Sequence, residues 1–364
     1  MKTLGLYIHI PFCNGKCPYC DFYSLKQTEE SMDEYISYLN KKISSYTDYA
    51  ADTVYFGGGT PSLLGTDRLI SVLKNIHDSF GNIQRETTLE VNPESPNCLD
   101  FEKLKFYGVN RVSIGLQSAN DSELKILGRK HTANDVRNTV KTVQSSGIEN
   151  ISLDLMIGIS GQTAESLTRS IEFCADLNVY HISAYILKIE EGTVYFKNKD
   201  SLNLPDDDTV CDFYELMVDK LDSLGYGQYE ISNFARDGFE SQHNLKYWNC
   251  EEYLGLGASA HSFIDKKRFY YSRSIRDFYN NKIIPDGTGG DEEEYIAMVL
   301  RLSGGLQYGK FRNYFGYDLP RHYIYNAKKL NKTGLLYVDD IGIRLSPKGF
   351  LCSNSIITAI LYNE

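Results

Sequence analysis

Apolar residues along this chain fall into two alternating kinds of run. Short stretches rich in β-branched and aromatic residues occur at 4–10, 53–56, 87–91, 111–114, 151–157 and 181–187. They predict strands of the buried parallel kind. Between them apolar residues recur every three or four positions. Leu69, Leu73, Ile76 and Phe80 predict an amphipathic helix over 66–80. Thr132-Ala-Asn-Asp135 reads as a capping box that opens a helix through Val136, Val140 and Val143, with Gly147 closing it. Six strand–helix repeats in one run predict an α/β fold, a partial (β/α)6 TIM-type barrel. Its chemistry is expected at the C-terminal ends of the strands.

The pattern changes after about residue 230. Residues 206–208 and 285–290 read as exposed loop or linker. Beyond 291, helices are expected at 292–303, 307–314 and 319–331. A hairpin of 335–338 and 343–345 turns at 339–342, and a last helix follows Ser346-Pro347. Three helices and a hairpin suggest a winged-helix-like α+β unit. The expected organisation is a core domain over 1–230, a connecting segment over 231–290 and a C-terminal domain over 291–364.

Composition narrows the function classes. With 364 residues, 42% hydrophobic and 24% charged, the chain is expected to be globular and to form more than one domain. Its net charge of −10 argues against general attraction to nucleic acid or anionic membranes. Residues 291–364 carry nine Lys/Arg against eight Asp/Glu, which lacks the basic stripe of a DNA reader. No apolar stretch reaches the length of a membrane span. The apolar run near Met1 is followed by no small-residue cleavage site, so a cytoplasmic, reducing compartment is expected, where the eight cysteines stay free.

The strongest chemical signal is Cys13-Asn-Gly-Lys-Cys17-Pro-Tyr-Cys20, directly after the first predicted strand. Three thiolates on one tight loop can hold three irons of a 4Fe-4S cube. Clusters held by protein alone usually take four. The fourth iron would stay open to a small molecule. A zinc site with His9 as fourth ligand is the competing reading. Zinc ribbons usually add a second ligand pair, and cysteines 98, 174, 211, 250 and 352 form no close pair. A disulfide within the loop conflicts with the expected compartment.

Further candidates stand at later strand ends. Gly57-Gly58-Gly59-Thr60-Pro61 offers bare backbone N–H groups to a ligand such as an amino acid carboxylate and amine, or else makes a tight turn. Glu90, in Glu90-Val-Asn-Pro93, would accept hydrogen bonds from a ligand amine or simply face water. Gly115-Leu-Gln117-Ser118 ends the fourth strand. Arg129, twelve residues after Gln117, would pair with a carboxylate in a forked geometry or serve as a surface arginine. Asp154 lies inside an apolar strand, where a carboxylate is costly unless paired, either with a neighbour or with a ribose diol.

Taken together, the chain resembles the HemN/HemW group of radical S-adenosylmethionine (SAM) proteins. The carrying motifs come in family order over nearly the whole length: Tyr7-Ile-His-Ile-Pro-Phe-Cys13, the triple-glycine loop, Glu90-Val-Asn-Pro, Arg111-Val-Ser-Ile-Gly-Leu-Gln117 and Asp154-Leu-Met-Ile-Gly. The resemblance implies that Cys13, Cys17 and Cys20 ligate a 4Fe-4S cluster. It implies SAM contacts from Tyr7, Gly58, Gly59, Thr60, Glu90, Gln117, Arg129 and Asp154, with Tyr19 at an aromatic position near the adenine. It also implies that an electron donor reduces the cluster, which splits SAM into methionine and a 5′-deoxyadenosyl radical. One departure is Ser160, where the family usually carries proline.

Two features separate the branches. Coproporphyrinogen dehydrogenases of the group resemble C-x3-C-x2-C-x-C, and this chain has Phe22 at the last cysteine position. They also carry an N-terminal extension, whereas here the first strand follows Met1 closely. In contrast, His243-Asn-Leu-Lys-Tyr-Trp248, which holds the only tryptophan, matches the H-N-x-x-Y-W motif of the heme-chaperone branch. It is flanked by Tyr229–Phe234 and Gly255–His261. The resemblance implies a cytoplasmic heme-binding chaperone that passes heme to an acceptor protein, a respiratory one in some members, and that forms homodimers. His243 is the heme-ligand candidate, with His261 as an alternative. A true coproporphyrinogen III dehydrogenase and a heme-modifying radical enzyme are the competing activities.

Overall fold

The computed structural model describes residues 2–94 and 99–362, so Met1 and Cys98 lie outside the described residues. The strands are β1 (Lys2–Ile10), β2 (Tyr49–Gly58), β3 (Glu86–Val91), β4 (Arg111–Gln117), β5 (Asn150–Ile157), β6 (His181–Ile186), β7 (Gly227–Glu230), β8 (Asn233–Ala235), β9 (Tyr253–Leu256), β10 (His261–Ile264), β11 (Lys267–Tyr271) and β12 (Ile283–Thr288). They form one twelve-stranded sheet in the order β12-β11-β10-β9-β1-β2-β3-β4-β5-β6-β8-β7. The six strands read from the sequence are its centre, and each pairs in parallel with the next. β6 continues to β8 rather than closing on β1, so the barrel is partial.

Helices return the chain between these strands as the sequence predicted. The helix Gly65–Phe80 buries Leu69, Leu73, Ile76 and Phe80. The capping box of Thr132 and Asp135 opens the helix Ala133–Ser145, and Gly147 takes φ 81° just beyond it. Alternation within the strands has a further meaning. In β1, Leu4, Leu6, Ile8 and Ile10 belong to the apolar core under the helices. The intervening Gly5, Tyr7 and His9 face a polar barrel interior, where Tyr7 meets Tyr55 of β2. In β5, Ser152 and Asp154 are the inward pair among apolar neighbours.

Three expectations need correction. Residues 206–208 are not linker: Asp206 caps the helix Asp207–Ser223 by accepting from Thr209 N–H. Within 285–290, the first four residues belong to β12, an edge strand whose side chains are mostly exposed, which is why they read as loop. The segment 231–290 does more than connect. It supplies β8 through β12, and β9 runs parallel to β1 as a further barrel-like strand. These strands have three to six residues each, too few for a clear period.

The last unit is α+β. Helices Glu292–Val299, Tyr308–Phe315 and Arg321–Leu330 accompany a small antiparallel sheet whose first strand lies between the first two of them. Its order is β13 (Leu306–Gln307), β15 (Gly342–Leu345), β14 (Leu336–Val338). The hairpin appears where the sequence placed it, with an additional strand before it. The final helix breaks at Cys352 into Pro347–Leu351 and Ser353–Tyr362. Ile231 N–H donates to Arg301 C=O and Ser303 N–H to Tyr229 C=O, which ties the unit to the end of the barrel sheet.

Candidate functional site

The cysteine loop leaves the C-terminal end of β1 and is pinched at its base. Cys13 N–H donates to Leu25 C=O at 2.9 Å, and Leu25 N–H returns a bond to Pro11 C=O at 2.6 Å. Cys20 N–H donates to Cys17 C=O, which folds the last two thiols into one turn. Cys13 Sγ lies 3.3 Å from Thr60 Oγ1, and Arg129 Nη1 lies 3.6 Å from Cys17 Sγ. No group of three or more His, Cys, Asp or Glu among the described residues is gathered as a site for one metal ion. A cube instead distributes its thiolates over separate irons.

His9 does not join the thiols as the zinc reading required. Its Nε2 bonds Tyr23 C=O at 3.2 Å and its Nδ1 bonds the Tyr7 hydroxyl at 3.2 Å, so both nitrogens are engaged. Burial lowers its pKa to about 4.

The glycine loop at the end of β2 is bonded to the cysteine loop. Gly59 N–H donates to Ile10 C=O and Thr60 N–H to Phe12 C=O, both at 2.8 Å. Gly58 has φ 109°, and a Cβ there would run into the His9 ring. Only glycine suits that position.

Two carboxylates stand beside this loop. Glu90 accepts from the Tyr55 hydroxyl at 2.9 Å. Desolvation raises its pKa to about 7, helped by the charge of Asp154 and opposed by the Tyr55 and Gly58 donors. Asp154 accepts from Ser113 Oγ at 3.1 Å. Desolvation raises it to about 6, opposed chiefly by the Ser113 bond and by Arg111. Both carboxyls would gain from a cationic or hydroxylic ligand. Arg129 donates from Nη2 to Gly115 C=O at 3.1 Å, while its Nε is buried without a partner. Gln117 ends β4 at φ 67°, an uncommon conformation for its residue type.

These groups line a single cavity of about 630 Å³. Its wall includes Cys13, Cys17, Cys20, Tyr19, Gly58, Gly59, Thr60, Glu90, Gln117, Arg129 and Asp154. Twelve cofactor or metal positions were read from the sequence, and Tyr7 alone among them is absent from this wall. Its ring stacks behind Tyr55 at 6.2 Å. Tyr19 packs with the apolar cluster of Leu127, Met156 and Ile159, a surface suited to a flat heterocycle. The wall also includes Tyr55, Ser113, Phe22, Tyr185, Ile186 and Leu187, which sequence reading missed. Tyr55 and Ser113 had a signal, since each lies two residues before a strand-end glycine already singled out.

The histidine proposed for heme lies elsewhere. His243 is 1% exposed. Its Nδ1 bonds Thr53 Oγ1 at 2.9 Å and its Nε2 bonds the Tyr247 hydroxyl at 2.7 Å, so neither nitrogen is presented to a ligand. It is a satisfied interior histidine, and burial lowers its pKa to about 3. His261 is exposed on β10 and stacks on Tyr270 at 4.8 Å.

A barrel with its thiols, glycine loop and carboxylates at one mouth defines a class, and comparison with known proteins agrees. The Radical SAM superfamily model matches residues 7–174. The HemN C-terminal domain model matches residues 293–352. The heme chaperone HemW of Lactococcus lactis is 33% identical, over 100% of this chain and 98% of that protein. The heme chaperone HemW of Bacillus subtilis is also 33% identical, over 98% of each. The structure of coproporphyrinogen III oxidase (HemN) from Escherichia coli, described as a radical SAM enzyme, superposes with a TM-score of 0.82 at 22% identity, covering 99% of this chain and 90% of that one. The chain belongs to the HemN/HemW group of radical SAM proteins.

Proposed function

We propose that this chain is a heme chaperone: it binds heme on a 4Fe-4S, SAM-binding scaffold and transfers it to an acceptor protein. The observation that carries this reading is the 33% identity to heme chaperones over essentially full length in both chains. The oxidase, at 22%, shares the fold.

Cys13, Cys17 and Cys20 would hold the cluster, with Thr60 and Arg129 beside the first two thiols. That cluster would supply the electron that splits SAM. Glu90 receives the ligand's ammonium group, Arg129 its carboxylate, Asp154 the ribose hydroxyls and Tyr19 the adenine edge. Phe22, 68% exposed, and Ile186, 43% exposed, form an apolar rim at the mouth, and Tyr185 adds a flat face. Such a rim suits a porphyrin plane. The free thiols at positions 174, 211, 250 and 352 fit a reducing compartment, and a cytoplasmic location is part of the proposal. No helix among the described residues is long and apolar enough to cross a membrane. An electron donor, a heme acceptor and a cluster-dependent homodimer complete the reading.

The test is anaerobic purification and cluster reconstitution, followed by SAM, reductant and either heme or coproporphyrinogen III. The expected result is a heme complex that passes heme to an acceptor apoprotein, with the porphyrinogen unchanged. Protoporphyrinogen formation would establish the oxidase activity instead and overturn the chaperone reading.

A further inference from the structure

The motif around His243 lies at the opposite end of the barrel from the thiols. Its helix, Gln242–Trp248, plugs the N-terminal end. Glu86, the first residue of β3, accepts from the backbone N–H of Gln242 at 2.8 Å and of His243 at 3.2 Å. Gly5 of β1 allows the close approach, because a Cβ there would meet Lys246 Cδ at 2.9 Å and His243 Cε1 at 3.3 Å.

A column of rings rises from this plug to the ligand cavity. Tyr247 and Thr53 fix the two nitrogens of His243. The His243 ring lies against Tyr55, with centroids 5.4 Å apart and planes inclined by 30°. Tyr7 packs on the Tyr55 ring at 6.2 Å and 28°. Tyr55 then donates its hydroxyl to Glu90 Oε1. Its ring orientation, and hence the aim of that hydroxyl, is set between His243 and Tyr7. The other ionisable groups acting on Glu90 are Asp154 on β5, Arg111 on β4 and Tyr185 on β6. Tyr7, on β1, also feels its charge.

We propose that His243 is a positioning residue for the SAM cavity: acting through Tyr55, it sets the carboxylate that receives the ligand's ammonium group at the far end of the barrel. The inference rests on the cavity being the site of SAM's methionine end, and it is independent of heme transfer. It assigns the heme-chaperone motif a role in the barrel interior in place of direct ligation.

Equilibrium binding of radiolabelled SAM to the full-length, cluster-reconstituted protein tests it, with iron content and heme titration measured in parallel. Tyr55→Phe should raise the SAM Kd about tenfold or more, as expected for losing a hydrogen bond to a charged group. His243→Phe keeps a ring and removes both hydrogen bonds, and should raise it roughly threefold. Both should move the pH midpoint of SAM binding upward, because the ionised carboxylate loses support. The double variant should bind no worse than Tyr55→Phe, since one residue acts through the other. Tyr247→Phe carries the same comparison if His243→Phe does not fold. Unchanged SAM affinity and midpoint in the His243 and Tyr247 variants, or strictly additive losses in the double variant, would overturn the proposal. Loss of heme binding with intact SAM binding in His243→Phe would do the same, by making the residue a heme ligand. Failure of the unaltered protein to bind heme would count against the chaperone reading alone.

Discussion

At the mouth of the barrel, Glu90 and Asp154 are held by hydroxyls and one amide, and both titrate well above the ordinary carboxylate range. At the base, Glu86 accepts from two helix N–H groups, Ser241 Oγ and Thr88 Oγ1. Lys246 beside it is 3% exposed and pairs with Asp52 and Glu251, both at 3.0 Å. The same six strands thus carry polar side chains for two purposes. Where protein donors fill both oxygens of the carboxylate, as at Glu86, the polar cluster locks a helix in place. Where they stop short, the remaining capacity belongs to a ligand.

The comparison breaks most visibly at the thiols. Cys17→Ala should abolish the visible charge-transfer absorbance of the reconstituted cluster, and iron analysis should fall with it. A variant that keeps a full cluster would show that the mouth has been assigned the wrong ligands. At the base, Glu86→Gln removes a charge that plug helix and barrel share and leaves Arg111 without its chief counter-field. It should lower stability by roughly 3–5 kcal/mol in a urea titration while leaving the cysteine loop intact.

The Glu90 contribution to apo-protein stability should be lost as pH rises from about 4.5 to 7, while the buried neutral His9 and His243 act in the opposite direction. Glu90 is protonated in the folded state over that window and ionised in the unfolded chain, so at this group the folded state binds more protons and rising pH removes its contribution. The loss attributable to Glu90 is about 3 kcal/mol. Glu90→Gln should therefore gain stability relative to the unaltered apo-protein as pH rises through that window, and a difference between the two that does not change with pH would contradict the account of the mouth. The smallest expected effect is at the plug's N-cap. Ser241 accepts from Asn244 N–H, and Ser241→Ala should cost about 1 kcal/mol with cofactor binding unchanged.

Much of the mouth was legible before any fold was known. Each of its motifs sits at the end of a strand with its own local signal: three close thiols, three glycines, a lone carboxylate in an apolar run. The parallel barrel order then brings strand ends together automatically. Two departures from the sequence reading have separate origins. Tyr7 and Glu90 both face inward, but parallel strands are staggered, and one ring of offset puts Tyr7 behind Tyr55 instead of on the cavity wall. The short strands β8 to β12 carry too few residues to show a period, so 231–290 read as connection.

The sequence alone determined which residues alternate toward the interior, where helices start and stop, and which chemistry stands at the strand ends, because these depend on neighbours a few positions away. Only the tertiary structure decided which end of the barrel each polar group serves. The bond from Glu86 to the His243 amide spans 157 residues, and no local pattern carries the information that a histidine in a helix will be spent inside the barrel floor. That choice is made when the helix docks, when the plug that satisfies its buried donors and acceptors outcompetes arrangements that leave them unpaired.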